Sequence, residues 1–75
     1  MRKVYVKLNN AEQVKNFVSV IDRVEANFEL GSGRRIVDPK SILSVYTLDL
    51  SQPQELRCDS EDETVLEKLA PFLSA

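Results

Sequence analysis

The chain opens on an alternation: from Arg2 to Leu8 the apolar Val4, Val6 and Leu8 interleave with Lys3, Tyr5 and Lys7. That is the period of a strand with one buried face. The period then changes. Val14, Phe17, Val18, Ile21 and Val24 recur at helical spacing behind Asn10, a good cap, with Gln13 at the capping-box position. A helix is predicted from about Ala11 to Arg23. Asn27 to Gly31 puts Phe28 and Leu30 on one face, Gly31-Ser32-Gly33 supplies turn residues, and Arg34 to Val37 resumes extended structure. This predicts a hairpin. Ser41 to Tyr46 follows as a short apolar helix, extending no further than Leu48, and Pro53 breaks the chain before Leu56 and Cys58 share the inward face of a fourth strand. Ser60-Glu61-Asp62-Glu63 forms a capping box ahead of Val65, Leu66, Leu69 and Leu73 at helical spacing. Pro71 has no N–H to bond back to the Glu67 carbonyl, so the helix is expected to fray or bend there and leave a short, loose tail.

The predicted order is β-α-β-β-α-β-α in one domain over residues 1–75, with no internal repeat or linker. Each strand offers a single apolar face. The expected fold class is therefore α+β: an open-faced β-sandwich, with a four-stranded antiparallel sheet and its helices on one face. A small ferredoxin-like binding domain shares much of this element order and stays open as an alternative.

Composition narrows the class. The 75 residues are 43% hydrophobic and 29% charged with two glycines, a globular balance. The lone Cys58 rules out an internal disulfide and a CxxC metal pair and points to a reducing compartment, so a cytoplasmic location is expected. No 18-residue apolar run is present and no membrane association is expected. Net charge is −2, split as +3 over residues 1–37 and −5 over 38–75. These halves interleave on folding, and the overall sign opposes nucleic-acid binding. There is no histidine, hence no imidazole for phosphoryl or metal chemistry. No nucleophile–base pair or phosphate loop is visible, and neither enzymatic activity, a cofactor nor a metal is expected.

From Gly33 to Leu48 the chain reads GRRIVDPKSILSVYTL: a glycine turn, a basic strand, Lys-Ser-Ile and an amphipathic short helix. This resembles the histidine-containing phosphocarrier protein, HPr, of the bacterial phosphotransferase system. The likeness extends in element order over nearly the whole chain. The family's phosphocarrier motif, His-Ala-Arg-Pro at the start of the first helix, falls on Asn10, Ala11, Glu12 and Gln13. Only the alanine is kept. Asn10 carries a carboxamide where the resemblance implies the phosphorylated histidine. Glu12 sets a negative charge where the family keeps the arginine that neutralises the phosphate. The expected outcome is a divergent member that cannot relay phosphate through histidine.

The same resemblance implies a regulatory site. Ser41 matches the serine that a dedicated kinase phosphorylates in one branch of the family, and Lys40 and Ile42 match its neighbours. Ser41 also reads as an ordinary helix cap. If Val45 and Leu48 face the core, helical geometry turns Leu43 and Tyr46 outward with Ile42 on the flank. The family docks protein partners on this surface, so Lys40, Ile42, Leu43 and Tyr46 are the candidate docking residues. The competing expectation is that one or two of these apolar side chains complete a small core. Cys58 reads as core. Arg34 and Arg35 read either as an anion-binding pair or, equally well, as a solvated strand edge protected by charge. The acids Asp59, Glu61, Asp62 and Glu63 lack calcium-loop spacing and read as support for the last helix dipole. The leading expectation is a regulatory or adaptor protein that works by protein docking, with a purely structural or oligomeric module of the same fold as the alternative.

Overall fold

The computed structural model describes residues 2–74. Four strands, β1 (Arg2–Val6), β2 (Phe28–Ser32), β3 (Arg35–Val37) and β4 (Gln54–Cys58), form one antiparallel sheet in the order β1-β4-β2-β3. Three helices, α1 (Ala11–Asp22), α2 (Ile42–Val45) and α3 (Glu63–Leu69), lie in the order predicted from the sequence. The fold is the α+β open-faced sandwich. Register puts Val4 opposite Leu56, Phe28 opposite Cys58 and Leu30 opposite Leu56, so the inner face is apolar from strand to strand. The outer face carries Lys3 opposite Arg57 and Glu29 opposite Arg57. Arg57 bridges Glu55 at 2.5 Å and Glu29 at 3.9 Å across that exposed surface.

The helices cover the inner face. Phe17 and Ile21 of α1, Val45 of α2 and Leu69 of α3 are at most 1% exposed and join Val6, Leu30 and Leu56 in a single core. Phe17 meets Phe72 edge to face, with ring centroids 5.5 Å apart, a favoured aromatic geometry. Among the described residues, one short domain thus gathers fifteen buried apolar side chains into one cluster, while Tyr5, Ile36, Ile42, Leu43, Tyr46 and Leu73 stay exposed.

Five local expectations need correction. The hairpin turns at Gly33-Arg34, not over Gly31–Gly33: Ser32 pairs with Arg35, and Gly33 has φ 60°. A two-residue turn with a positive φ at its first position suits the twist of a hairpin and selects glycine there. Gly31 stays in β2 for another reason, since a Cβ on it would come within 1.9 Å of the Arg35 carbonyl oxygen. Helix α3 is capped by Asp62, which accepts the Thr64 N–H, and starts two residues later than a Ser60 cap would place it. Ser60 instead accepts the Asp62 N–H at 3.1 Å.

The end of α3 accounts for two more, and the end of β1 for the last. At Pro71 the helix tightens into a 3₁₀ turn over Ala70–Phe72, and the change of pitch alters which side chains point inward. Phe72 is buried at 6% exposure, Leu73 is 40% exposed and Leu66 is only half-buried. The tail is tied rather than loose. Leu73 bridges Val6, the Lys7 N–H donates to the Phe72 carbonyl at 2.9 Å, and the Ser74 N–H donates to the Tyr5 carbonyl at 2.8 Å. Leu8, expected in the first strand, lies beyond β1 yet remains buried.

Candidate functional site

The first turn of α1 is closed by a reciprocal pair of side-chain bonds. Asn10 Oδ1 accepts the Gln13 N–H at 2.8 Å, and Gln13 Oε1 reaches back to the Asn9 N–H at 2.7 Å. One helix-end donor, the Gln13 N–H, is thereby satisfied, and the second bond ties the residue just before the cap to the first turn, one place earlier than a capping box would. Asn10 Oδ1 is committed to the helix. Glu12 stands exposed in the same turn.

Beside that turn opens a cleft of about 330 Å³. Asn9, Asn10 and Ala11 line one side, and Tyr46, Leu50 and Ser51 line the other. The far wall is held by groups that sequence reasoning did not single out. Gln54, the first residue of β4 and 2% exposed, sends its Nε2 to the Asp49 carbonyl at 2.6 Å and the Gln52 carbonyl at 3.3 Å. Lys7 Nζ donates to the Leu50 carbonyl at 3.1 Å. The Ser51 hydroxyl and N–H both donate to Asp49, and these bonds hold its carboxyl below the ordinary value of 3.8. A signal for Gln54 existed in the sequence: it occupies an inward position of the alternation that continues through Leu56 and Cys58. A buried polar side chain at such a position needs partners; here the loop carbonyls take its Nε2, while its Oε1 stays buried without a partner among the described residues.

Helix α2 begins from a tight lead-in. Asp38 accepts the Lys40 N–H on its carboxylate and the Ser41 N–H on its carbonyl, with Pro39 fully buried between them. Ser41 is exposed and caps the helix, its Oγ accepting the Ser44 N–H at 3.4 Å, a long contact. Val45 and Leu48 turn into the core. Ile42, Leu43 and Tyr46 are 37%, 78% and 48% exposed and form one apolar strip. Arg35 Nε donates to Thr47 Oγ1 at 3.3 Å, which sets a guanidinium along one flank of the strip. Of the candidate docking residues, Tyr46 is the one that lines the cleft beside Asn10, while Lys40 is exposed at the helix lead-in.

The remaining candidates lie elsewhere. Cys58 is buried, and its Sγ accepts the Ser60 N–H at 3.3 Å. Asp59 is a clamp: its carboxylate takes the Asn27 N–H and the Asn27 Nδ2, and both bonds depress its pKa. Asp62 is likewise depressed by the Thr64 N–H and hydroxyl. Among the described residues, no group of three His, Cys, Asp or Glu side chains could hold a metal ion, and no helix is long and apolar enough to cross a membrane.

The class that this architecture defines is an open-faced sandwich with an exposed short second helix. It is the fold of HPr. A crystal structure of HPr-C-His from Thermoanaerobacter tengcongensis superposes on this chain with a TM-score of 0.77 over 95% of this chain and 89% of that one, at 20% sequence identity. No protein-family model matches the chain, and no curated protein matches it in sequence.

Proposed function

We propose that this chain is an HPr-like regulatory or adaptor protein that docks a protein partner through α2 and does not relay phosphate through a histidine. The observation that carries the reading is the exposed strip Ile42, Leu43 and Tyr46 beside an exposed Ser41. Apolar side chains left in water on a domain this small, next to a chargeable hydroxyl, are the features of an interaction surface. The absence of relay follows from two residues. Asn10 has no nucleophilic imidazole, and its amide oxygen already caps α1. Glu12 would repel a phosphate at the same turn.

Ser41 is the proposed switch. Phosphorylation would add about −2 charge at the edge of the docking strip, next to Lys40. The bond it would replace is a long one, at 3.4 Å, so folding should change little while partner affinity changes. The work of the protein is then non-enzymatic, and a cytoplasmic partner protein is its ligand.

The test compares Ser41→Asp with Ser41→Ala and Tyr46→Ala, each measured for thermal stability and for capture of the partner, with intact-mass analysis of the captured chain. Capture that survives Tyr46→Ala and does not distinguish the two Ser41 variants would place docking elsewhere. Incubation with phosphoenolpyruvate and the family's enzyme I should leave no acid-labile phosphate on the protein. Asn10→His alone should not restore relay, and Asn10→His with Glu12→Arg should do better.

A further inference from the structure

We infer that the α2 strip also takes a second copy of this chain, in a weak two-fold pair with the two α2 helices side by side and Arg35 of each copy set against Glu12 of the other. This deepens the docking reading by naming one occupant of the strip, and it rests on that reading only for the location of the surface.

The argument comes from the charges that bracket the strip. On one flank, Arg35 reaches Thr47, one residue beyond Tyr46, so its guanidinium lies along α2. On the other flank, Tyr46 lines the cleft with Asn10 and Ala11, which brings the first turn of α1, and with it the exposed Glu12, to that side. A cation therefore stands on one side of the apolar strip and an acid on the other. Neither has an ion-pair partner closer than 4.0 Å among the described residues. A two-fold axis running along α2 exchanges the flanks. It places each Arg35 opposite the partner copy's Glu12 and packs Leu43, at 78% the most exposed of the strip's three side chains, against the facing strip. A two-fold contact must be complementary to itself, and a strip with unlike flanks meets that condition without any other molecule.

The strip is small, so the pair must be weak. A stable interface buries about 800 Å² per partner, and three partly exposed side chains supply only a fraction of that area. Association is therefore expected in the range from roughly 0.1 to 1 mM rather than at nanomolar concentration. A pair of this strength would hide the docking strip only where the protein is abundant. A phosphate on Ser41 at its margin would change both contacts.

The experiment is sedimentation velocity on the whole chain from about 10 µM to about 1 mM, a span that brackets the expected dissociation constant. The weight-average mass should climb toward twice the monomer value, and Leu43→Asp should hold it at the monomer value while leaving circular dichroism and thermal midpoint unchanged. Glu12→Arg and Arg35→Glu should each weaken association several-fold. The double variant, Glu12→Arg with Arg35→Glu, should restore it, because the two-fold pair then carries the same contacts with signs exchanged. A monomer at every concentration overturns the inference and leaves a different protein as occupant of the strip, so the docking reading is tested separately by capture. Association that survives Leu43→Asp, or that the double variant fails to restore, places the contact on another face and overturns it equally.

Discussion

Helices α1 and α2 both start from a capping side chain, but the two caps are built to different tolerances. Asn10 accepts the Gln13 N–H at 2.8 Å, and the Gln13 side chain in turn accepts the Asn9 N–H at 2.7 Å, so two bonds close that turn. Ser41 holds one N–H at 3.4 Å and faces water. Behind the first cap stand twelve residues of helix whose Val14, Phe17 and Ile21 are buried. Behind the second stand four, of which only Val45 is buried. The contrast teaches where change is tolerated. At α1 the cap serves the fold and the helix it starts anchors the core, whereas at α2 the cap is marginal and most of the helix surface faces water.

The hardest blow to this contrast comes from Phe17. Phe17→Ala removes a fully buried ring and its edge-to-face contact with Phe72, and should cost about 3 to 5 kcal/mol, enough to unfold most of a domain this size at body temperature. Urea titration measures it, and an unchanged midpoint would mean that α1 is no anchor. Leu66→Ala, at a half-buried position, should cost clearly less, about 1 kcal/mol.

The caps themselves come next. Asn10→Ala should destabilise by about 1 kcal/mol, because it orphans the Gln13 N–H. Ser41→Ala should fall within about 0.5 kcal/mol of the parent. Equal losses in a side-by-side thermal melt would erase the distinction. Leu43→Ala, at 78% exposure, should likewise move stability by less than about 0.5 kcal/mol, so any effect it has on capture is an effect on binding.

The smallest effects per residue are electrostatic, since the carboxylates concerned are exposed. Asp59 and Asp62 both titrate below their ordinary 3.8, Asp59 chiefly through the Asn27 N–H and Asp62 chiefly through the Thr64 N–H. A depressed carboxylate binds its proton more weakly in the folded chain than in the unfolded one. Its contribution is therefore complete above the ordinary value and is lost as pH falls through the folded value. The denaturant midpoint should be flat near neutrality and decline once pH drops below about 4. In Asp59→Asn the decline should be shallower. A midpoint that rises on acidification would contradict the assignment.

Much of this molecule was legible because its elements bury one face each. The alternation of Val4 and Val6, and the spacing of Val14, Phe17 and Ile21, could be read without knowing what lay opposite. So could the outward turn of Leu43 and Tyr46, once Val45 and Leu48 were given to the core. The departures have separate causes. Helical spacing puts Leu73 inside only if its period runs on through Pro71, but the pitch changes there and Phe72 turns inward. Ser60 was expected to cap α3, but Ser60 and Asp62 both suit the role, and the competition between them is decided by geometry around the Cys58 sulfur and Thr64. The cleft was illegible because its walls come from α1, α2 and a loop pinned by Lys7, 43 residues from its acceptor. Nothing local announces such a meeting.

The strand order also dictates when this protein can exist. Strand β4, between β1 and β2, is the last strand of the sheet to be synthesised. Until residues 54–58 leave the ribosome, β1 has no neighbour in the sheet, and the β2–β3 hairpin has only itself. Because Val6 must then find Gln54 and, later, Leu73, the contacts that close the fold are among the longest in sequence that it makes. Folding of this kind is slow for its size and comes late, in one step rather than by stages along the nascent chain. A ribosome stalled before β4 should therefore carry a protease-sensitive chain, and one stalled well past Ser74 a resistant one.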